Sequence, residues 1–161
     1  MGSIFATPIQ YNVLNDLKNT TKMTMGSILF DSEVDEITER CIESKIRGMK
    51  GVMALISVSS HVFGVFTTGQ MDVQNMKFLW TLTSDKSSFF FHVLPTGKLV
   101  VTKDFNLNIN PLQNRLLFNF SSSSFELKID GEGNIGPNIA YESNQYSLDA
   151  ELERFLFVQW K

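Results

Sequence analysis

Residues 51–68, GVMALISVSSHVFGVFTT, constrain the fold more than any other stretch of this chain. Two apolar runs, Val52-Met53-Ala54-Leu55-Ile56-Ser57-Val58 and Val62-Phe63-Gly64-Val65-Phe66, flank the short polar segment Ser59-Ser60-His61. Each run is about one strand long and rich in β-branched and aromatic residues, so the stretch is expected to form a β-hairpin with Ser59, Ser60 and His61 as its connection. A half-exposed strand alternates apolar and polar residues; these runs barely do. Both strands should therefore be covered on two faces, at the centre of a sheet. Gly64, inside the second run, is expected where a neighbouring chain or ring approaches closely.

The rest of the chain suits such a centre. Its 161 residues fit one domain large enough to bury a core. Fourteen phenylalanines, against 3 Tyr and 2 Trp, favour a sheet-rich interior with large ring contacts. With 14 Lys+Arg and 17 Asp+Glu, the net charge is −3, which weighs against a concentrated phosphate-binding surface. The single cysteine, Cys41, forms no internal disulfide and fits no zinc spacing. Together with an N-terminus that lacks a signal-peptide pattern, it leads to the expectation of an intracellular protein, cytoplasmic or nuclear. No apolar stretch reaches the length of a membrane span.

Residues 1–26 are expected to be an arm or a short helix near 11–18, where Val13, Leu14 and Leu17 lie at helical spacing. Ser27-Ile28-Leu29-Phe30-Asp31 is a candidate strand. An amphipathic helix should follow over VDEITERCIESKIRG, with Val34, Ile37, Cys41 and Ile46 on its apolar face. Asp31 or Ser32 is expected to cap it, acids crowd its first turn, and Gly48 should end it. After the hairpin, strands are expected at 78–82, 89–94, 99–102, 116–120, 125–129, 139–143 and 155–160. Residues 67–77 should form a loop, 103–114 an irregular connection or edge, and 130–137 a glycine-rich turn. Eight or nine short strands, without β–α–β alternation, point to a mainly β member of the α+β class. The expected architecture is a two-sheet antiparallel β-sandwich flanked by short helices.

Candidate chemistry is sparse. His61 and His92 are the only histidines, and both are expected to be structural rather than catalytic. The acids Asp31, Glu33, Asp35, Glu36 and Glu39 are explained by a helix start. Asp130, Glu132 and Asn134 alternate as in a calcium loop, but the closing position that needs glutamate holds Tyr141. The expectation is therefore no metal and no cofactor. Cys41, on the apolar face of the helix, is the candidate thiol and is expected to be a buried small hydrophobe.

Several of these segments, taken in order, resemble the TLDc domain family of oxidation-resistance proteins. They are Ile28-Leu29-Phe30-Asp31-Ser32, the helix carrying Glu39-Arg40-Cys41, and His61-Val62-Phe63-Gly64-Val65-Phe66. Lys77-Phe78-Leu79-Trp80-Thr81-Leu82, Phe125-Glu126-Leu127-Lys128-Ile129-Asp130, Tyr141-Glu142-Ser143 and Phe155-Leu156-Phe157-Val158-Gln159-Trp160 follow. The likeness spans 27–161, and Phe63, Gly64, Val65 and Phe66 are its most diagnostic part. The chain departs from the family at Asp35-Glu36-Ile37-Thr38, at Gly136-Pro137-Asn138 and at the ending Trp160-Lys161, so a divergent member is implied.

The resemblance implies a two-sheet sandwich with flanking helices. It also implies a part in the oxidative stress response and, as in some members, binding to the vacuolar proton pump. Glu142 matches the family's characteristic glutamate, expected to be either functional or a carboxylate that holds a loop. The leading expectation is a non-enzymatic interaction module with a protein partner. The alternative is a regulatory nucleic-acid binder using Lys98, Lys103, Arg115 and Lys128. A third reading is a hydrolase or a peroxide-handling enzyme acting through Cys41.

Overall fold

The computed structural model describes residues 11–36, 39–67, 80–82, 89–102, 107–109, 116–121, 125–132, 135–143 and 147–161. These form helices α1 (Tyr11–Thr21) and α2 (Glu39–Ile46). The strands are β1 (Met25–Asp31), β2 (Val52–Val58), β3 (His61–Thr67), β4 (Trp80–Leu82), β5 (Phe89–Val93), β6 (Leu99–Thr102), β7 (Leu107–Ile109), β8 (Leu116–Ser121), β9 (Phe125–Glu132), β10 (Ile135–Ser143), β11 (Ser147–Glu151) and β12 (Arg154–Trp160). One sheet has six strands in the order β1-β12-β2-β3-β5-β6, and a second has four in the order β11-β10-β9-β8. Every pairing in both is antiparallel. β4 and β7 form a separate two-stranded pair. The architecture is the expected mainly β, two-sheet antiparallel sandwich with short helices.

The β2–β3 hairpin occupies the two middle places of the six-stranded sheet. Every residue from Val52 to Phe66 is buried except Ser57, which is half-buried, and the exposed turn. That turn is two residues, not three. Ser59 and Ser60 both have positive φ, at 47° and 68°, and His61 already pairs with Val58. Positive φ at both positions matches the right-handed twist of the flanking strands, although serine adopts it less readily than asparagine or glycine. His61 is thus a strand residue, only 4% exposed, rather than part of the connection.

Alternation along the strands sorts the aromatic residues onto two faces. Phe63 pairs with His92 and Val65 with Phe90; these share one face with His61, Phe155 and Phe157. Phe30 meets the last two edge-on, at ring distances of 5.8 and 6.2 Å. Tyr141 of β10 enters this face from the second sheet, 4.5 Å from Phe63. The other face carries Phe66, Phe89, Phe91 and Trp160, with Phe66 set edge-on to Trp160 at 6.5 Å. Gly64 lies opposite Phe91, and a Cβ there would come within 2.0 Å of the Phe91 ring. The glycine exists to let that ring lie over the strand. Burying each such side chain contributes about 1.5–3 kcal/mol, so these two layers dominate the stability of the sheet.

The first and last strands meet in this sheet. β12 lies between β1 and β2, with Phe30 opposite Phe157 and Leu156 opposite Leu55. A strongly apolar terminal strand cannot remain at an edge, where one row of backbone groups stays unpaired; here both rows are used. Val13 and Leu17 of α1, and Ile42 and Ile46 of α2, each four residues apart on one helix face, belong to the same core.

The second helix is shorter than the sequence predicts. α2 begins at Glu39, and Val34 is 82% exposed rather than on an apolar face. Residues 31–35 instead form a turn in which Val34 and Asp35 donate to the Asp31 carbonyl at 3.0 and 2.7 Å. Asp31 and Ser32 cap no helix: both are held by β12. Gly48 ends α2 as expected, with φ at +74°.

In the second half, β9 and β10 run further than predicted, leaving only positions 133–134 between them. The pairing slips between Ile135 and Asn138, at Gly136-Pro137, where proline has no N–H for the ladder. β11 has no counterpart in the sequence-based expectations. The predicted 67–77 loop lies beyond residue 67 outside the described residues, and β7 falls within the stretch expected to be irregular.

Candidate functional site

Two groups of polar side chains are built into the six-stranded sheet. The first lies on the face that meets the second sheet. His61 opens β3 and His92 stands near the end of β5, one register step apart on the same face. Their rings are stacked, and His61 Nδ1 lies 2.8 Å from His92 Nε2, so one ring donates an N–H to the other. Phe63 stacks on His92 at 4.3 Å, and Tyr141 stands 5.5 Å from it across the gap between sheets. Burial and this apolar wall disfavour charge. Burial pushes His61 below its ordinary 6.5. Burial, with a smaller contribution from the charge of a protonated His61, holds His92 down at about 4. At neutral pH both rings are therefore uncharged.

The second group joins the first and last strands. Arg154, the first residue of β12, donates from Nη2 to Asp31 Oδ2 at 2.8 Å and from Nε to Asp31 Oδ1 at 3.2 Å, a bidentate fork. Glu33 lies 3.8 Å from the same Nη2. Asp31 Oδ1 also accepts from the Glu33 N–H, and the Phe155 N–H donates to Ser32 Oγ at 2.8 Å. The Arg154 hydrogen bond, with help from the Glu33 N–H, holds the Asp31 carboxyl below its ordinary 3.8. Two of the acids expected to mark a helix start, Asp31 and Glu33, are thus drawn to the distant cation Arg154, because a charge-assisted fork outweighs a local cap. Asp35 serves the same turn by accepting from the Asp31 N–H, and it lies 3.9 Å from Lys45.

Glu142 is exposed and lies within β10, not in a loop. It faces outward between Glu126 of β9 and Ser147 of β11, while its neighbour Tyr141 points inward. The exposed face around it also carries Lys128, Asn138, Asp149 and Glu151. Lys128 Nζ lies 3.2 Å from Glu126, and Asn138 donates to Asp149 at 2.7 Å. Cys41 is half-buried against the core. Phe63, Gly64, Val65 and Phe66 are all buried in β3. Lys98 sits in the turn between β5 and β6 and Lys128 on the other sheet, while Lys103 and Arg115 lie outside the described residues.

Sequence reasoning treated His61 and His92 singly and missed their contact. The sign was there: His61 continues the alternation of Phe63 and Val65 once the turn is shortened to two residues. Arg154 was missed altogether, and no local pattern marks its partner. Among the described residues, no group of three or more His, Cys, Asp or Glu is placed to hold a metal ion, and no helix is long and apolar enough to cross a membrane. No protein-family model matches this chain, and no curated protein does.

Proposed function

We propose that this chain is a TLDc-like, non-enzymatic interaction module of an oxidative stress response, with the vacuolar proton pump as the partner to test first. What supports the reading is the ordered set of sequence segments that resemble motifs of that family. Three of them, Ile28-Leu29-Phe30-Asp31-Ser32, Val62-Phe63-Gly64-Val65-Phe66 and the terminal Phe155-to-Trp160 segment, fall within one sheet. Two others, around Glu126 and Glu142, are strand neighbours in the second. Mutual hydrogen bonding of the two histidines favours a structural use of the only imidazoles. The exposed Glu142 side chain, on a face with Glu126, Asp149 and Glu151, is accessible to a basic partner surface. An intracellular location, cytoplasmic or nuclear, accompanies this reading.

The test is direct binding of the purified full chain to the purified soluble sector of the proton pump. Peroxide sensitivity of cells lacking the protein is scored alongside. Saturable binding that weakens about tenfold on Glu142→Lys, with Cys41→Ser unchanged, is the expected outcome. Absence of binding together with unaltered peroxide sensitivity overturns the proposal. Peroxide consumption abolished by Cys41→Ser would establish the enzyme reading in its place.

A further inference from the structure

We propose that β11, at the edge of the second sheet, is a docking site for an extended segment of a partner protein in which basic and apolar residues alternate, added to the sheet as one more strand. The proposal rests on the interaction-module reading above but not on the proton pump as the partner.

The register of the second sheet carries the inference. Its side chains fall in rows that run across β9, β10 and β11. On the inward face the rows are Leu127–Tyr141–Leu148 and Ile129–Ile139–Ala150. Leu127, Ile129 and Ile139 are completely buried and Tyr141 nearly so, whereas Leu148 and Ala150 are only half-buried against the core. The apolar layer thus reaches β11 and stays partly open there, and a further strand with apolar residues on this face would complete it. On the outward face the rows end in Ser147, Asp149 and Glu151, all exposed. Asp149 and Glu151 stand two residues apart, so a neighbouring strand would set alternate side chains beside them. The one basic residue within the four strands is Lys128, two strands inward in the Asp149 row and 3.2 Å from Glu126. A segment with Lys or Arg outward and apolar residues inward matches both faces of β11 at once.

The edge is regular enough to be extended. β10 and β11 pair through five consecutive positions without a shift, and β11 contains neither proline nor glycine. Among the described residues β11 has a strand on one side only, so alternate backbone N–H and C=O groups point away from β10. The edge of the first sheet at β1 differs, because two register shifts break it. The edge at β6 carries no charged side chain and selects no partner by charge. A second copy of this chain fits β11 poorly: the full antiparallel pairing of two copies sets Asp149 opposite Asp149.

The probe is a short capped peptide with lysine and valine in strict alternation. The control has the same composition with its lysines and valines in separate blocks. Each is titrated into the full chain, followed by backbone amide NMR and hydrogen exchange. The alternating peptide should bind saturably and slow exchange at alternate amides of residues 147–151, while the block peptide binds about tenfold more weakly. Asp149→Lys combined with Glu151→Lys should weaken the alternating peptide by about tenfold or more, whereas Glu142→Lys, one strand further in, should weaken it less. Equal binding of the two peptides, shifts centred on Glu126 and Glu142 with 147–151 unprotected, or unchanged affinity in the Asp149→Lys, Glu151→Lys variant would each overturn the proposal. Self-association of the peptide-free chain through 147–151 would overturn it too, by making a second copy the occupant. The exchange map needs only the unaltered chain and decides even if the variant does not fold. The pump is absent from every arm, so failure here leaves pump binding to its own test, and failure of pump binding leaves strand addition to this one.

Discussion

The His61–His92 contact and the Asp31–Arg154 fork do the same mechanical task with opposite chemistry. Each ties neighbouring parts of the six-stranded sheet through side chains that are largely shielded from water. The histidine pair does so without charge, inside an aromatic layer, and depends on a nitrogen remaining unprotonated. The fork does so with full charges at a largely shielded site between β1 and β12, and depends on a carboxylate remaining ionised. Acid therefore attacks both, but in different ranges. An unfolded histidine takes its proton near 6.5, whereas His92 resists until about 4. Its contribution to stability is complete above 6.5 and lost as the pH falls toward 4. Asp31 is held below 3.8 by Arg154, so its contribution is complete above 3.8 and lost only as the pH falls further. One sheet thus carries two acid-sensitive links that fail in sequence.

The comparison can be broken most strongly from outside either link. Gly64→Ala forces a methyl group into the Phe91 ring on the opposite face and should cost about 3 kcal/mol or more. Urea unfolding at several pH values should show the whole stability profile lowered, with both acid ranges unmoved. Arg154→Leu leaves Asp31 with a shielded, poorly paired carboxylate and should cost about 2–3 kcal/mol at pH 7. The double variant Asp31→Asn, Arg154→Leu should recover a good part of it. Only the range below 3.8 should change in that pair, which thermal unfolding at pH 3 and pH 7 would check.

Smaller effects sharpen the other side. Between pH 6.5 and 4 the unaltered protein should lose up to about 3 kcal/mol through His92, and His92→Phe should flatten that fall without altering the Asp31 range. Chemical denaturation at pH 7 and pH 4.5 measures it. Replacing Ser59-Ser60 with Asn-Gly suits a turn that needs two positive φ angles and should stabilise by about 1 kcal/mol. Urea unfolding at pH 7 measures it, and the fork at β1 and β12 should remain as before.

The two links were not equally legible from residue order. The strands that hold them were: β2 and β3 as unbroken apolar runs, β5 as three phenylalanines, β12 as an apolar terminus. Gly64 was legible too, since a glycine inside a buried strand requires a close neighbour, and Phe91 is that neighbour. His61 was placed in the turn because a polar residue after two serines looks like loop. Only the two-residue geometry of Ser59-Ser60 puts it in register with Val58 and on the face of Phe63. The acids at 31–36 had the composition of a helix start, and local composition cannot reveal that an arginine 123 residues later will arrive beside them.

Sequence alone determined the periodicity and the covalent limits: mostly strands, a central hairpin buried on both faces, aromatic residues filling the interior, and a glycine beneath a ring. These are set by side chains a few residues apart, so they are written in the order of the chain. Tertiary structure alone decided which distant residues meet. It placed the last strand between the first two, set Tyr141 against the β3–β5 corner, paired two histidines across strands and joined Asp31 to Arg154. Hydrogen bonds and ion pairs act over a few ångströms in space and are blind to separation along the chain, so pairing of strands had to come first before either link could exist.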